Sequence, residues 1–262
     1  MATLNINFTP PSPAPLAGYD VRYRVFGTTD YTTITPNPTS SPVIVTGLLE
    51  ETTYEGVIRS DCGDGLYSSE IPFTVTGNIV VPNFDFMVAR YYWAPGEGTD
   101  LDTLTGFTNT GISGIDNNWV GWSQGFTVPG DSASAPESID PTAYLQGAGD
   151  NTGTGAESVL MNLNKFVTEN PSVPTVIETN MYAFWYGTRN TGNALFEIIA
   201  FKGGTMSKAG YEFLNTGGVE VFRQTFTKNV TSVLKTSNPG TSTLLGTVRY
   251  NKTTKVAELI LQ

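Results

Sequence analysis

The sequence predicts an almost entirely β-structured chain of two domains. Three observations carry that prediction: the length, a surface polarity made of neutral groups, and apolar residues that alternate with polar ones between Pro and Gly punctuation. At 262 residues the chain exceeds the roughly 100–150 residues of a common domain, which favours two. Hydrophobic residues make up 39% and charged residues only 15%, so polarity falls to Thr, Ser, Asn and Gly, the balance of exposed β-sandwiches and not of helical bundles. Tyr19, Val21, Tyr23 and Val25 alternate with Asp20, Arg22 and Arg24. That period of two belongs to a strand with one wet face and one buried face.

Over residues 1–77, strands are expected at 4–8, 19–26, 32–35, 42–48, 53–60 and 71–75, a small sandwich. Within it, Gly47 to Ile58 reads GLLEETTYEGVI, with Leu48 and Tyr54 on either side of a turn of Glu50, Glu51 and Thr52. A Tyr so placed can turn its hydroxyl back onto the loop backbone and pin the corner where the chain passes between sheets. With LNINFTPP as a first core strand, YDVRYRVFG as a central one and GLYSSEIPFTV as the last, this segment resembles a fibronectin type III domain. Phe8 stands where that family usually carries Trp. The loop from Asp61 to Gly65 is expected to be a plain hairpin connection, and Cys62 to be a small buried hydrophobe.

Residues 78–262 are expected to form a larger β-sandwich, with 78–82 as a link. Strands are expected at 84–93, 119–122, 175–186, 194–201, 219–228, 244–250 and 255–261, the last two joined in a hairpin about residues 251–254. Residues 94–107 read as a loop. Residues 157–170 admit two readings: a short helix with stripe Val159, Leu163, Phe166 and Val167 behind a Thr154/Glu157 capping box, or a strand leading into a turn.

Several chemistries are excluded by composition. The chain has no histidine and a single cysteine, which removes imidazole bases, Ser-His-Asp and Cys-His nucleophile pairs, His-ligated metals and intrachain disulfides. A non-enzymatic role is expected. The formal net charge of −10 repels phosphate backbones, so nucleic acid is not an expected partner. The N-terminal residues show no basic region followed by an apolar core, and no apolar run approaches a membrane span, so neither a Sec signal nor membrane insertion is expected.

Two acidic segments stand out. Asp100-Leu101-Asp102 follows the first strand of the second domain, and GAGDNTGTGAESV places Asp150, Asn151 and Glu157 among glycines. Calcium takes six to eight oxygens from carboxylates, carbonyls and water, and Gly-rich turns let carbonyls point inward. The DLD segment, GDNTGTGAESVLMNL and the following strand TVIETNMYAFWYG resemble the TerD family of calcium-binding β-sandwich domains. That resemblance implies Asp100, Asp102, Asp150 and Glu157 as calcium ligands, with Asn151 as a carbonyl donor. The alternative for the same residues is turn and helix capping.

Aromatic residues Tyr91, Tyr92, Trp93, Trp119, Trp122, Trp185 and Tyr186 gather at strand ends. Most are expected in the core, because adjacent strand residues face opposite sides; a glycan platform is the alternative. A fibronectin-like module fused to a second sandwich is similar in organisation to head-fibre and accessory capsid proteins of crAss-like bacteriophages. The expected function is therefore a structural or decoration protein of a virion, calcium-stabilised, whose partners are other virion proteins, copies of itself or a host-surface glycan. The alternatives are a TerD-type calcium-binding stress protein and a carbohydrate-binding adhesin.

Overall fold

The structure is a computed structural model that describes residues 2–49, 52–76, 79–93, 100–122, 124–130, 132–153, 155–186, 192–230, 232–233 and 239–261. It is nearly all β, as the alternation and composition imply, and divides into two compact units, Met1–Val80 and Val81–Gln262. Among the described residues no helix is long and apolar enough to cross a membrane.

The strands of the first unit are β1 (Ala2–Ile6), β2 (Tyr19–Val25), β3 (Thr32–Thr33), β4 (Val43–Leu48), β5 (Thr53–Ser60) and β6 (Ile71–Thr76). β1 pairs antiparallel with β4, and the other strands form an antiparallel sheet in the order β3-β2-β5-β6. Leu4, Ile6, Val21, Val45, Tyr54 and Ile58 belong to the core between them. Phe8 packs edge-on against Tyr19, with ring centroids 4.5 Å apart, filling the aromatic position at that end. The Tyr54 hydroxyl accepts a hydrogen bond from the Leu49 N–H at 2.9 Å, so the tyrosine does pin its corner. Cys62 differs from expectation: it is exposed. Its backbone N–H closes a tight turn onto the Leu66 carbonyl, and the Asp61 carboxylate accepts from the Gly63 N–H at 2.9 Å. The side chain is thereby held on the rim of a hairpin, away from the core.

β7 (Ile79–Val81) spans the boundary between the units, and the second unit continues with β8 (Phe86–Trp93), β9 (Leu101–Phe107), β10 (Trp119–Gly121), β11 (Thr127–Val128), β12 (Leu145–Gly147) and β13 (Gly155–Met161), followed by helix α1 (Leu163–Glu169). Then come β14 (Val176–Tyr186), β15 (Asn193–Lys202), β16 (Thr205–Ala209), β17 (Glu212–Thr216), β18 (Val219–Asn229), β19 (Ser232–Val233), β20 (Thr243–Asn251) and β21 (Val256–Leu261). One sheet runs β10-β9-β14-β20-β21-β7 with β19 parallel to β14; the other runs β11-β12-β13-β8-β15-β18; β16 and β17 make a separate hairpin. The two sheets face one another. Tyr91 on β8 hydrogen-bonds Thr105 on β9 at 2.8 Å, fully buried, and the Trp93 and Trp185 rings meet edge to face at 6.0 Å.

Three segments differ from the sequence reading. Residues 101–107, expected as loop, are β9, buried at every position. Its sequence LDTLTGF lacks apolar alternation because Thr103 and Thr105 are satisfied by bonds to the opposite sheet. Residues 79–81, expected as link, are a strand with Ile79 and Val81 buried. Residues 157–170 take both forms in turn, strand to Met161 and helix from Leu163. The proposed capping box does not hold: Thr154 lies outside the described residues, Glu157 is in β13, and Asn162 at the helix N-cap makes no side-chain cap.

Candidate metal centre

Three of the acidic residues converge. Asp100 precedes β9, Asp102 is its second residue, and Asp150 sits in the turn between β12 and β13; one carboxylate oxygen of each lies within 4.8 Å of the others. Asp102 is only 1% exposed, while Asp100 and Asp150 are half-buried. Asp100 Oδ1, Asp102 Oδ2 and Asp150 Oδ1 are all buried without a hydrogen-bond partner. Each such orphaned oxygen costs desolvation free energy on the order of 1–3 kcal/mol, more when charged. Turn capping through neighbouring amides would have given these oxygens partners.

The electrostatics follow from that crowding. Burial, then the charges of Asp100 and Asp150, push Asp102 up to about 8. Burial and the nearby Asp150 raise Asp100, and burial raises Asp150. Glu157 is raised well above the ordinary carboxyl range, first by burial and further by Asp102 and Asp150, against the lowering effect of its hydrogen bonds. With no cation, the cluster is relieved by holding protons; a divalent ion replaces them.

Glu157 and Asn151 stand outside the group of three and make hydrogen bonds of their own beside it. Both oxygens of Glu157 are engaged: Oε1 accepts from the Asn151 N–H at 2.9 Å and Oε2 from the Thr103 hydroxyl at 3.1 Å. The Asn151 side chain is spent within its own loop, accepting from the Gly153 N–H and donating to the Ala156 carbonyl. These two brace the loop that carries Asp150. The Trp93 indole N–H adds a third brace, donating to the Gly153 carbonyl at 3.1 Å. Neither Thr103 nor Trp93 was legible as a support, since their partners come from loops and strands distant in sequence.

The donor set is all oxygen, which fits hard cations and not the soft metals that take sulfur or imidazole. Calcium–oxygen distances near 2.4 Å allow oxygens on opposite sides of one ion to lie about 4.8 Å apart, and the three carboxylates fall within that limit. A cleft of about 600 Å³ elsewhere, floored by Phe86, Ile139, Leu160 and Met206, lacks such a convergence. Its Asp85, Asp140 and Glu169 carboxylates are engaged by Lys202, Thr142 and Lys165.

The aromatic residues divide as alternation requires. Tyr91, Trp93, Trp119 and Trp185 are buried, whereas Tyr186 is exposed and its ring packs, tilted by 60°, at 5.3 Å from that of the partly exposed Trp122. No protein-family model matches the chain, and no curated protein matches it significantly.

Proposed function

We propose that the chain is a non-enzymatic structural or decoration protein of a virion, whose second unit is held together by a calcium ion on Asp100, Asp102 and Asp150. The observation that carries the calcium reading is the meeting of three carboxylates, each of which has a buried oxygen without a hydrogen-bond partner. Protein atoms do not satisfy them, and a hard divalent cation satisfies all three at once. A glycosidase reading asks for two carboxyls facing each other across a cleft about 5–9 Å wide; here the carboxylates point at a common centre. The absence of histidine in the sequence supports the same conclusion. The virion setting is supported by the acidic, neutral-polar composition and by two β units in series.

The test is thermal unfolding of the full chain with calcium and with chelator. A folded-state ion adds about 2.7 kcal/mol at a hundredfold excess over its Kd, so calcium raises Tm, and Asp102→Asn abolishes that rise. An identical Tm in both buffers refutes the ion. For the setting, antibody labelling of purified phage particles from a host carrying the gene is expected to decorate the particle surface; label confined to the soluble fraction of the lysate refutes it.

A further inference from the structure

The geometry points to a second role for this centre: the ion presents its open coordination positions to the vicinal hydroxyls of a neutral carbohydrate, whose apolar face packs on Tyr186 and Trp122. The inference rests on the calcium reading above.

The binding site for the ion is anchored from within by Asp102, which is 1% exposed and whose Oδ2 is buried and unpartnered. Three carboxylate oxygens fill three of the six to eight positions calcium takes. Glu157 and Asn151 already spend their oxygens on Thr103 and on loop amides. Asp102 is deeply buried whereas Asp100 and Asp150 are half-buried, so the side of the ion toward Asp100 and Asp150 is the one nearer solvent, where water or a ligand's hydroxyls complete the shell.

The aromatic pair stands beside that opening. The Tyr186 N–H donates to the Asp100 carbonyl at 2.9 Å, continuing the register that pairs Trp185 with Leu101 and Phe184 with Asp102. Cross-strand neighbours share a face, so Tyr186 lies on the same face of the sheet as Asp100 and Asp102. Trp93 and Trp185 are at most 3% exposed, whereas Tyr186 is 42% exposed, and its ring packs on Trp122 at 5.3 Å and 60°. Rings of this kind bury a sugar's C–H face while the hydroxyls stay polar.

Charge selects the class of ligand. Three aspartates outweigh one divalent ion, and the chain carries −10 overall. Carboxylate or phosphate ligands are repelled, and neutral diols are not.

The experiment uses the full chain on an array of neutral glycans, in calcium and in chelator, beside a duplicate array oxidised by periodate, which cleaves vicinal diols. Binding is expected in calcium alone and on the unoxidised array alone. Tyr186→Ala and Trp122→Ala are each expected to weaken it about tenfold while leaving the calcium-induced rise in Tm intact. A calcium-dependent Tm with no glycan bound, binding that survives chelator or periodate, or full binding by both variants overturns the carbohydrate inference and spares the ion. A Tm indifferent to calcium overturns both.

Discussion

Thr103 and Glu157 are hydrogen-bonded across the second sandwich, the threonine hydroxyl donating to Glu157 Oε2 at 3.1 Å with both side chains buried. The bond ties β9, which carries Asp102, to β13, which follows the Asp150 turn. Glutamine preserves this arrangement, because its carbonyl still accepts from the Asn151 N–H and its amide faces a hydroxyl able to accept. It also removes the need for folded Glu157 to take up a proton beside Asp102 and Asp150. Glu157→Gln is therefore expected to raise Tm in chelator at neutral pH, whereas Glu157→Ala strands the buried Thr103 hydroxyl and the part-buried Asn151 N–H and lowers Tm through a stability loss of about 2–3 kcal/mol. Equal melting of the two variants would remove Glu157 from its bracing role.

The raised carboxyls set a pH dependence whose sign is fixed. Without calcium, Asp102 titrates at about 8 in the folded chain and near 3.9 when unfolded. Between these values the folded state binds more protons, so stability is full below about pH 4 and is lost as pH rises through about 8. Asp100, Asp150 and Glu157 shift in the same direction. Tm in chelator is expected to fall between about pH 5 and pH 8, and the increment calcium adds is expected to grow over the same interval as protons stop competing. Asp102→Asn should flatten the chelated profile; a wild-type profile that is flat or rising there contradicts the assignment.

Alternation made much of this fold legible. β14 reads VIETNMYAFWY with buried and partly buried positions in strict succession over most of its length, and β5 carries the same period; β2, which alternates in sequence, buries Tyr19, Asp20 and Val21 alike. β9 was not legible: Asp102, Thr103 and Thr105 are polar yet buried, and only the opposite sheet supplies what satisfies them. The acidic residues were legible by type, since few other roles gather Asp among glycines. Separating ligand from brace was not, because Glu157 is committed by the Asn151 amide and the Thr103 hydroxyl, and the fold alone brings Thr103 to it.

The first unit contains none of the four tryptophans, which are Trp93, Trp119, Trp122 and Trp185. Tryptophan fluorescence thus reports the second unit alone. Tyr54→Phe leaves the Leu49 N–H without its acceptor, a loss of about 0.5–1.5 kcal/mol. In urea, the circular-dichroism transition of the first unit is expected to move to lower denaturant while the fluorescence midpoint stays fixed. A fluorescence midpoint that follows Tyr54→Phe would mean that the units unfold as one.

Gly121 on β10 tests how rigidly β9 must be held. It pairs with Leu104, has φ +145, and an added Cβ would stand 1.7 Å from the Thr103 carbonyl oxygen. That atom is backbone and no rotamer relieves the clash, so Gly121→Ala must push β10 off β9 or displace Thr103. Displacing Thr103 loosens its bond to Glu157 and with it the loop bearing Asp150. The expected cost exceeds about 3 kcal/mol, the range of substitutions that break a specific backbone geometry, and the calcium-induced rise in Tm is expected to vanish as well. Gly111 provides the control: φ is +74 and nothing lies within 4 Å of the added Cβ, so Gly111→Ala bears only left-handed strain, about 1 kcal/mol, and keeps the calcium response. If Gly121→Ala retained the full calcium increment, the position of β9 would not be what aligns the carboxylates.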